Sequence, residues 1–194
     1  MNLAQEIAGA NVLLIEDNAG DARLIREMLA EEPEAPFRLS SVDRLSRGLE
    51  FLDINETALV LLDLSLPDSH GLETFSRMYA HSPRTPIIVL TGNDDHGLAL
   101  SAVKRGAQDY LVKGKIDREL LQRAMQYAVE RKRYQEQLER QANYDGLTGL
   151  PNRQLLRDRL HQAVSKQRQI HSISVVFIDL DHFKVINDSL GHNS

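Results

Sequence analysis

Asp63 follows a solid apolar run, Ala58-Leu-Val-Leu-Leu62, and precedes Leu64-Ser-Leu-Pro-Asp-Ser-His-Gly71. Unbroken runs of this kind read as strands buried on both faces, as in a parallel sheet, and open α/β sheets place their chemistry at the carboxyl ends of such strands. Three more runs lead into chemically useful residues: Val12-Leu-Leu-Ile15 into Glu16-Asp17, Pro86-Ile-Ile-Val-Leu90 into Thr91, and Tyr110-Leu-Val112 into Lys113. Parallel strands would bring these ends to one rim, where carboxylates, a hydroxyl and an amine share a pocket. Clustered carboxylates repel one another unless a divalent cation sits between them, and Mg²⁺ takes oxygen ligands. An aspartate in such a pocket can attack a phosphoryl group and become an acyl phosphate, with Thr91 and Lys113 holding the phosphoryl oxygens. The plainer reading is that each acid caps a following helix, Asn18 or Asp17 one and Asp68 another. The recurrence of such groups at successive strand ends favours the shared pocket.

The elements that must position these groups alternate along the chain. Strands are expected over residues 11–16, 37–42, 58–63, 87–91 and 108–112, and helices over 19–31, 45–54, 72–80 and 98–105. In the first helix Leu24, Ile25, Met28 and Leu29 are expected to share a buried face. The strand at 37–42 is the least apolar and belongs near an edge. Successive βα units imply an α/β fold, a (βα)5 doubly wound parallel sheet with right-handed crossovers and its acidic rim at the topological switch point.

The order and wording of these motifs resemble the receiver domain of two-component response regulators, over about residues 10 to 120. The resemblance rests on Glu16-Asp17, Asp63 within Asp-Leu-Ser-Leu-Pro-Asp-Ser-His-Gly-Leu, Thr91-Gly92 and Lys113. It implies a flavodoxin-like fold, a histidine kinase as phosphoryl donor, and Mg²⁺ as cofactor. Asp63 would be the phospho-acceptor, Asp17 a direct metal ligand with Glu16 behind it through water, and the Ser65 carbonyl a further ligand. Thr91 and Tyr110 would be the switch hydroxyl and switch aromatic, and Lys113 would pair first with the acceptor and then with the phosphate. The family usually has Pro after this lysine. Gly114 stands there instead, so a looser loop and a less firmly aimed Lys113 are expected.

Composition fits an ordinary globular chain and excludes several classes. Of 194 residues, 42% are hydrophobic and 26% charged, and the net charge of −5 gives no general attraction to nucleic acid. The absence of cysteine rules out disulfides and thiolate metal sites within this sequence. No apolar stretch approaches the roughly 20 residues of a membrane span, and no signal-peptide core opens the chain, so a cytoplasmic location is expected.

Residues 117–143 contain neither Pro nor Gly and interleave charges, and read as one long helix. Leu120, Ala124, Tyr127, Tyr134 and Leu138 fall near a 3.5-residue spacing interrupted by Arg131, a pattern that suits a coiled-coil seam and hence a homodimer. The alternative is a solvated helix whose first turns pack on the sheet. The bases Arg131-Lys-Arg133 lie among Glu130, Glu136 and Glu139, which argues against a nucleic-acid patch. No DNA-binding motif follows the sheet, and neither DNA nor membrane is an expected partner.

Beyond the helix, Asp145-Gly-Leu-Thr-Gly-Leu-Pro-Asn-Arg153 leads into another helix, and Ile173-Ser-Val-Val-Phe-Ile178 reads as a strand ending in Asp179-Leu-Asp181. An apolar strand ending in Asp-x-Asp suggests a second divalent-metal site. These stretches, with His182-Phe-Lys-Val-Ile-Asn-Asp-Ser-Leu-Gly-His192, resemble the beginning of a GGDEF-type diguanylate cyclase domain, an α+β domain that makes cyclic di-GMP from GTP. By that resemblance Asp179 and the Leu180 carbonyl are metal ligands, Asn187 contacts guanine and His192 lines the substrate site. His182 stands where the family often has Phe. The Gly-Gly-Asp/Glu-Glu-Phe hairpin does not occur in the 194 residues. The expected organisation is therefore a receiver over 1–116, a signalling helix over 117–143, and an incomplete cyclase segment over 144–194, cut from a longer parent. The segment is expected to be inactive, with GTP bound only by the full-length parent, itself a diguanylate cyclase. Two rival readings are less favoured: a receiver-like docking module that no longer takes phosphate, against which Asp17, Asp63, Thr91 and Lys113 together argue, and, for Asp179-Leu-Asp181, the nucleophile motif of haloacid-dehalogenase-type phosphatases, which needs a downstream lysine and acidic pair.

Overall fold

The computed structural model describes residues 10–30, 37–92, 95–165, 174–179 and 181–182. The chain divides into two compact units, residues 1–139 and 140–194.

In the first unit five parallel strands, β1 (Ala10–Ile15), β2 (Phe37–Val42), β3 (Leu59–Asp63), β6 (Ile87–Thr91) and β7 (Asp109–Val112), form one sheet in the order β2-β1-β3-β6-β7. The order reverses between β1 and β3, which places the switch point there. Two two-residue strands, β4 (Ser65–Leu66) and β5 (Ser69–His70), make a small antiparallel hairpin directly after β3. β2 lies at an edge, as its weak apolar character implies.

The all-apolar strands conceal a period of two. Val12 and Leu14 of β1 and Leu59 and Leu61 of β3 face α1 (Ala19–Ala30), where Ala22, Ile25 and Leu29 are buried. Leu13, Ile15, Val60 and Leu62 face the other way, toward α2 (Leu45–Ile54), α3 (Gly71–His81) and α4 (His96–Lys104), meeting Leu45, Phe75, Met78 and Ala102. Gly48 of α2 sits where a Cβ would collide with the Ile15 side chain, so this helix lies close on β1 because that residue has no side chain. Leu24 departs from expectation and is 45% exposed. It lies about 100° around the helix from Ile25, and the face centred on Ala22, Ile25 and Leu29 excludes it.

The long helix is α5 (Arg118–Asn143). Leu121, Ala124, Met125 and Ala128 are buried in the α1 face of the core, and Leu120 packs partly against it. Two of the residues expected along a seam between chains, Leu120 and Ala124, are thus used within the chain, because a sheet with α1 on one half of a face needs a second helix to cover the rest. Farther along, Arg131 Nη1 donates to the Gln108 carbonyl (3.1 Å) and Lys132 Nζ to the Pro83 carbonyl (2.8 Å). Arg131 interrupts the apolar spacing for this reason: it reaches the backbone just before β7. Tyr127, Tyr134 and Leu138 are more than half exposed.

In the second unit Asn152 joins two helices. Its Nδ2 donates to the Ala142 carbonyl at the end of α5 (2.7 Å), and its Oδ1 accepts from Leu155 N (3.0 Å), capping α6 (Arg153–Ser165). Asp145 Oδ1 accepts from both the backbone and the hydroxyl of Thr148, and these bonds hold its carboxyl below the usual aspartate range. The strand expected over 173–178 is not formed in its described part: residues 174–178 are exposed and adopt no regular secondary structure. An apolar run becomes a strand only beside a neighbour that completes its hydrogen bonds, and none is present among the described residues. Ile173 itself lies outside them.

Candidate functional site: an acidic pocket at the strand ends

Register brings the expected groups together. Ile15 pairs with Leu62, so Glu16 emerges beside Asp63; Asp63 pairs with Leu90, one residue before Thr91; Thr91 pairs with Val112, one residue before Lys113. Glu16, Asp63 and Thr91 are buried, while Asp17 is exposed. Ligand atoms of Glu16, Asp17 and Asp63 all lie within 4.8 Å of one another.

Lys113 Nζ reaches into this cluster, 2.7 Å from Asp63 Oδ2, 2.6 Å from Glu16 Oε2 and 3.2 Å from Asp21 Oδ2. The looser aim expected from Gly114 is not found. One turn of 3-10 helix over Lys113–Lys115 fixes the backbone, and three carboxylates fix the ammonium. Burial works against the Lys113 charge, but hydrogen bonds to Asp63 and Glu16 outweigh it and raise its pKa above the ordinary lysine value. Glu16 is pushed up to about 7, first by burial; the Asp63 charge adds to the rise, and Lys113 opposes it.

The loop after Asp63 is tied down locally. Ser65 N donates to Asp63 Oδ1 (3.1 Å), Gly71 N donates to the Leu64 carbonyl (2.7 Å), and the buried Thr74 hydroxyl donates to the Ser69 hydroxyl (2.9 Å). Asn18, not Asp17, caps α1: its Oδ1 accepts from Gly20 N (2.8 Å) and Asp21 N (3.2 Å). Asp68 is a cap as expected, but of a different helix. Its two carboxylate oxygens accept from Leu45 N and Ser46 N of α2, each at 2.9 Å, where the preceding Arg44 side chain makes no capping bond. Asp17, released from capping duty, projects to the rim.

The donor set suits an oxygen-preferring cation. Beyond the carboxylate spacing, Glu16 Oε2 is buried and its charge is met by the Lys113 ammonium at 2.6 Å. Three carboxylates this close carry more negative charge than one ammonium balances, and an oxygen-preferring divalent ion would offset the rest. Glu16, Asp17, Asp63 and the Ser65 carbonyl are the groups that would hold it.

Tyr110 is partly buried against the α3 and α4 side of the sheet, at the position paired with Val89. Asp179 is exposed in the second unit; Leu180, Asn187 and His192 lie outside the described residues. Asp21 was not singled out from sequence, since an acid in the first turn of a helix is ordinary there. An open groove elsewhere, lined by Asn11, Asp53, Glu56, Arg84 and Thr85, lies at the amino ends of the strands, away from the carboxylates.

A family model described as the response regulator receiver domain matches residues 12–126, and one described as the diguanylate cyclase GGDEF domain matches residues 142–194. The chain is 28% identical to the response regulator PleD of Caulobacter vibrioides over 198 residues, covering 95% of this chain and 42% of PleD. It is 33% identical to the cell cycle transcriptional regulator CtrA of the same organism over 102 residues, 53% of this chain and 43% of CtrA. The chain thus spans about two fifths of the length of these relatives. Among solved structures, a receiver domain from Clostridium thermocellum superposes with a TM-score of 0.57 at 26% identity, over 65% of this chain and 98% of that one. The receiver domain of a sensor histidine kinase from Pseudomonas aeruginosa, described with a magnesium ion coordinated in its active-site cleft, gives 0.55 at 29% identity, over 63% and 99%.

Proposed function

The chain belongs to the response regulator receiver family, its receiver followed by a GGDEF segment, and from that premise we propose that it is a phospho-acceptor switch whose nucleophile is Asp63. The observation that carries this reading is the convergence of Glu16, Asp17, Asp63 and Lys113 on one rim. Asp63 attacks phosphorus in line. The bond from phosphorus to the donor nitrogen of a kinase phosphohistidine, or to the donor oxygen of acetyl phosphate, breaks as the bond to Asp63 forms, and imidazole or acetate leaves. Bound Mg²⁺ would neutralise phosphoryl charge and shield the nucleophile from its neighbouring acids. Lys113 exchanges its contact with the Asp63 carboxylate for one with the phosphoryl oxygens. Thr91 is drawn toward those oxygens and Tyr110 turns inward, which shifts a pre-existing equilibrium of the α4–β7 surface.

In the whole protein the output is synthesis of cyclic di-GMP from GTP, with Asp179 and the Leu180 carbonyl as metal ligands and Asn187 and His192 in the substrate site. The alignment with the response regulator PleD, which runs through both the receiver and the GGDEF segment over 95% of this chain, supports that reading. The far part of α5, with Tyr134 and Leu138 exposed, is the proposed homodimer contact. A histidine kinase is the proposed donor and the cytoplasm the proposed location; among the described residues no helix is long and apolar enough to cross a membrane.

The test is labelling. Incubation with Mg²⁺ and acetyl phosphate should add one phosphoryl mass to the wild type and none to Asp63→Asn, which keeps the size and removes the nucleophile. Equal labelling of the variant, or none of the wild type, sinks the assignment.

A further inference from the structure

Asp21 makes a contact that the acceptor reading leaves unused. It stands at the third position of α1, where an acid commonly bonds back to the N-cap N–H and closes a capping box. That N–H is taken: Asn18 N donates to Glu16 Oε1 at 3.1 Å. The capping itself is done by Asn18 Oδ1. The Asp21 carboxylate, about a third exposed, instead lies 3.2 Å from Lys113 Nζ.

Lys113 is therefore shared among three carboxylates from three elements: Glu16 after β1, Asp21 in α1 and Asp63 at the end of β3. Two of these belong to the donor set for a divalent cation. Lys113 is, in effect, an internal cation that competes with the metal for Glu16 and Asp63. Asp21 lies outside that donor set and draws the ammonium toward the rim. With Asp21 neutral, Lys113 would have only metal ligands as partners, and the pocket would lose one negative charge. Both effects disfavour metal entry.

We propose that Asp21 is a positioning residue for cation loading: by sharing Lys113 it keeps Glu16 and Asp63 available to Mg²⁺. The inference rests on the acceptor reading of the pocket. It assigns Asp21 no contact with the phosphoryl group.

Titration calorimetry with MgCl2 on the full chain tests it, using Asp21→Asn, which keeps size, and Asp21→Glu, which restores charge. Asp21→Asn should bind Mg²⁺ about three- to tenfold more weakly, as expected for one partly exposed charge, and the deficit should shrink with added salt. The Mg²⁺ concentration for half-maximal labelling by acetyl phosphate should rise by the same factor. Asp21→Glu should recover most of the affinity, which a helix-capping role would not require. Unchanged Mg²⁺ affinity in Asp21→Asn, beside a wild type that binds Mg²⁺ and is labelled, overturns this inference alone. A wild type that binds no Mg²⁺ overturns the acceptor reading and this inference with it.

Discussion

Among the three clustered carboxylates, Asp17 alone is exposed, and it neither caps α1 nor pairs with Lys113. Glu16 and Asp63 share the ammonium, so Asp17 brings the charge that is least committed within the protein. Asp17→Asn should therefore weaken Mg²⁺ binding more than Asp21→Asn does, since on the proposed reading it removes a direct ligand from an ion that takes few protein donors. Labelling by acetyl phosphate should slow sharply at low Mg²⁺. Calorimetry checks the order of the two variants; equal affinity of Asp17→Asn and wild type would leave Asp17 a surface acid. Asp63 differs from its neighbours in being held from both sides, by Ser65 N on Oδ1 and Lys113 Nζ on Oδ2. On the proposed reading that grip orients the nucleophile before any donor arrives.

At the scale of elements, the loop after β3 does two jobs. Its first residues hold Asp63, the proposed acceptor, and Asp68, a few residues on, closes the open end of α2. Burial pushes the Asp68 carboxyl up, but the N–H groups of Ser46 and Leu45 outweigh it and hold it below the ordinary aspartate range. A lowered folded-state pKa means stabilisation that is full above about pH 4, the unfolded value, and is lost as pH falls through the folded value. Asp68→Ala should cost about 0.5–2 kcal/mol, the usual range for a lost cap, with a flatter acid limb in the dependence of melting temperature on pH. Thermal unfolding at pH 7 and pH 3 reads both. If the gap between the proteins is the same at both pH values, Asp68 acts through packing and not through its charge.

For the molecule as a whole, α5 is the element that runs across the division between the two units. Its first turns complete the core through Leu121 and Met125, and Arg131 and Lys132 tie it to carbonyls before β7 and β6. Past these ties Tyr134 and Leu138 stand 57% and 65% exposed. Burying Leu138 against a second copy is worth at most about 1.5–3 kcal/mol per side chain. Leu138→Glu removes this and sets like charges face to face, so dimerisation should weaken by about tenfold for each 1.4 kcal/mol lost. Sedimentation of both proteins, with and without beryllium fluoride as phosphoryl mimic, is the measurement. A monomeric wild type in both states, or undiminished association of the variant, would leave the helix a tether between units. The 194 residues should also form no cyclic di-GMP from GTP and Mg²⁺, labelled or not, because they lack the Gly-Gly-Asp/Glu-Glu-Phe hairpin. Product detected chromatographically from a pure sample would overturn the reading of residues 144–194.

Residue types and their order along the chain were enough to read the parallel sheet, its edge strand, the meeting of Glu16, Asp17, Asp63 and Lys113, and the place of Thr91 at the end of the neighbouring strand. Strand period and strand-end position are local properties, and a parallel sheet has only one rim to which carboxyl ends can run. Three features were decided by the tertiary structure. Leu120 and Ala124 fit both a seam between chains and a face packed on the sheet, and 3.5- and 3.6-residue spacings diverge too slowly over a few turns to separate the two. Asp68 caps α2 because the loop after β3 passes that helix end, a proximity set by chain reversal and invisible to spacing. Asp21 reaches Lys113 because Glu16 has already taken the N–H that would have held it, a competition among side chains that only their assembled positions settle.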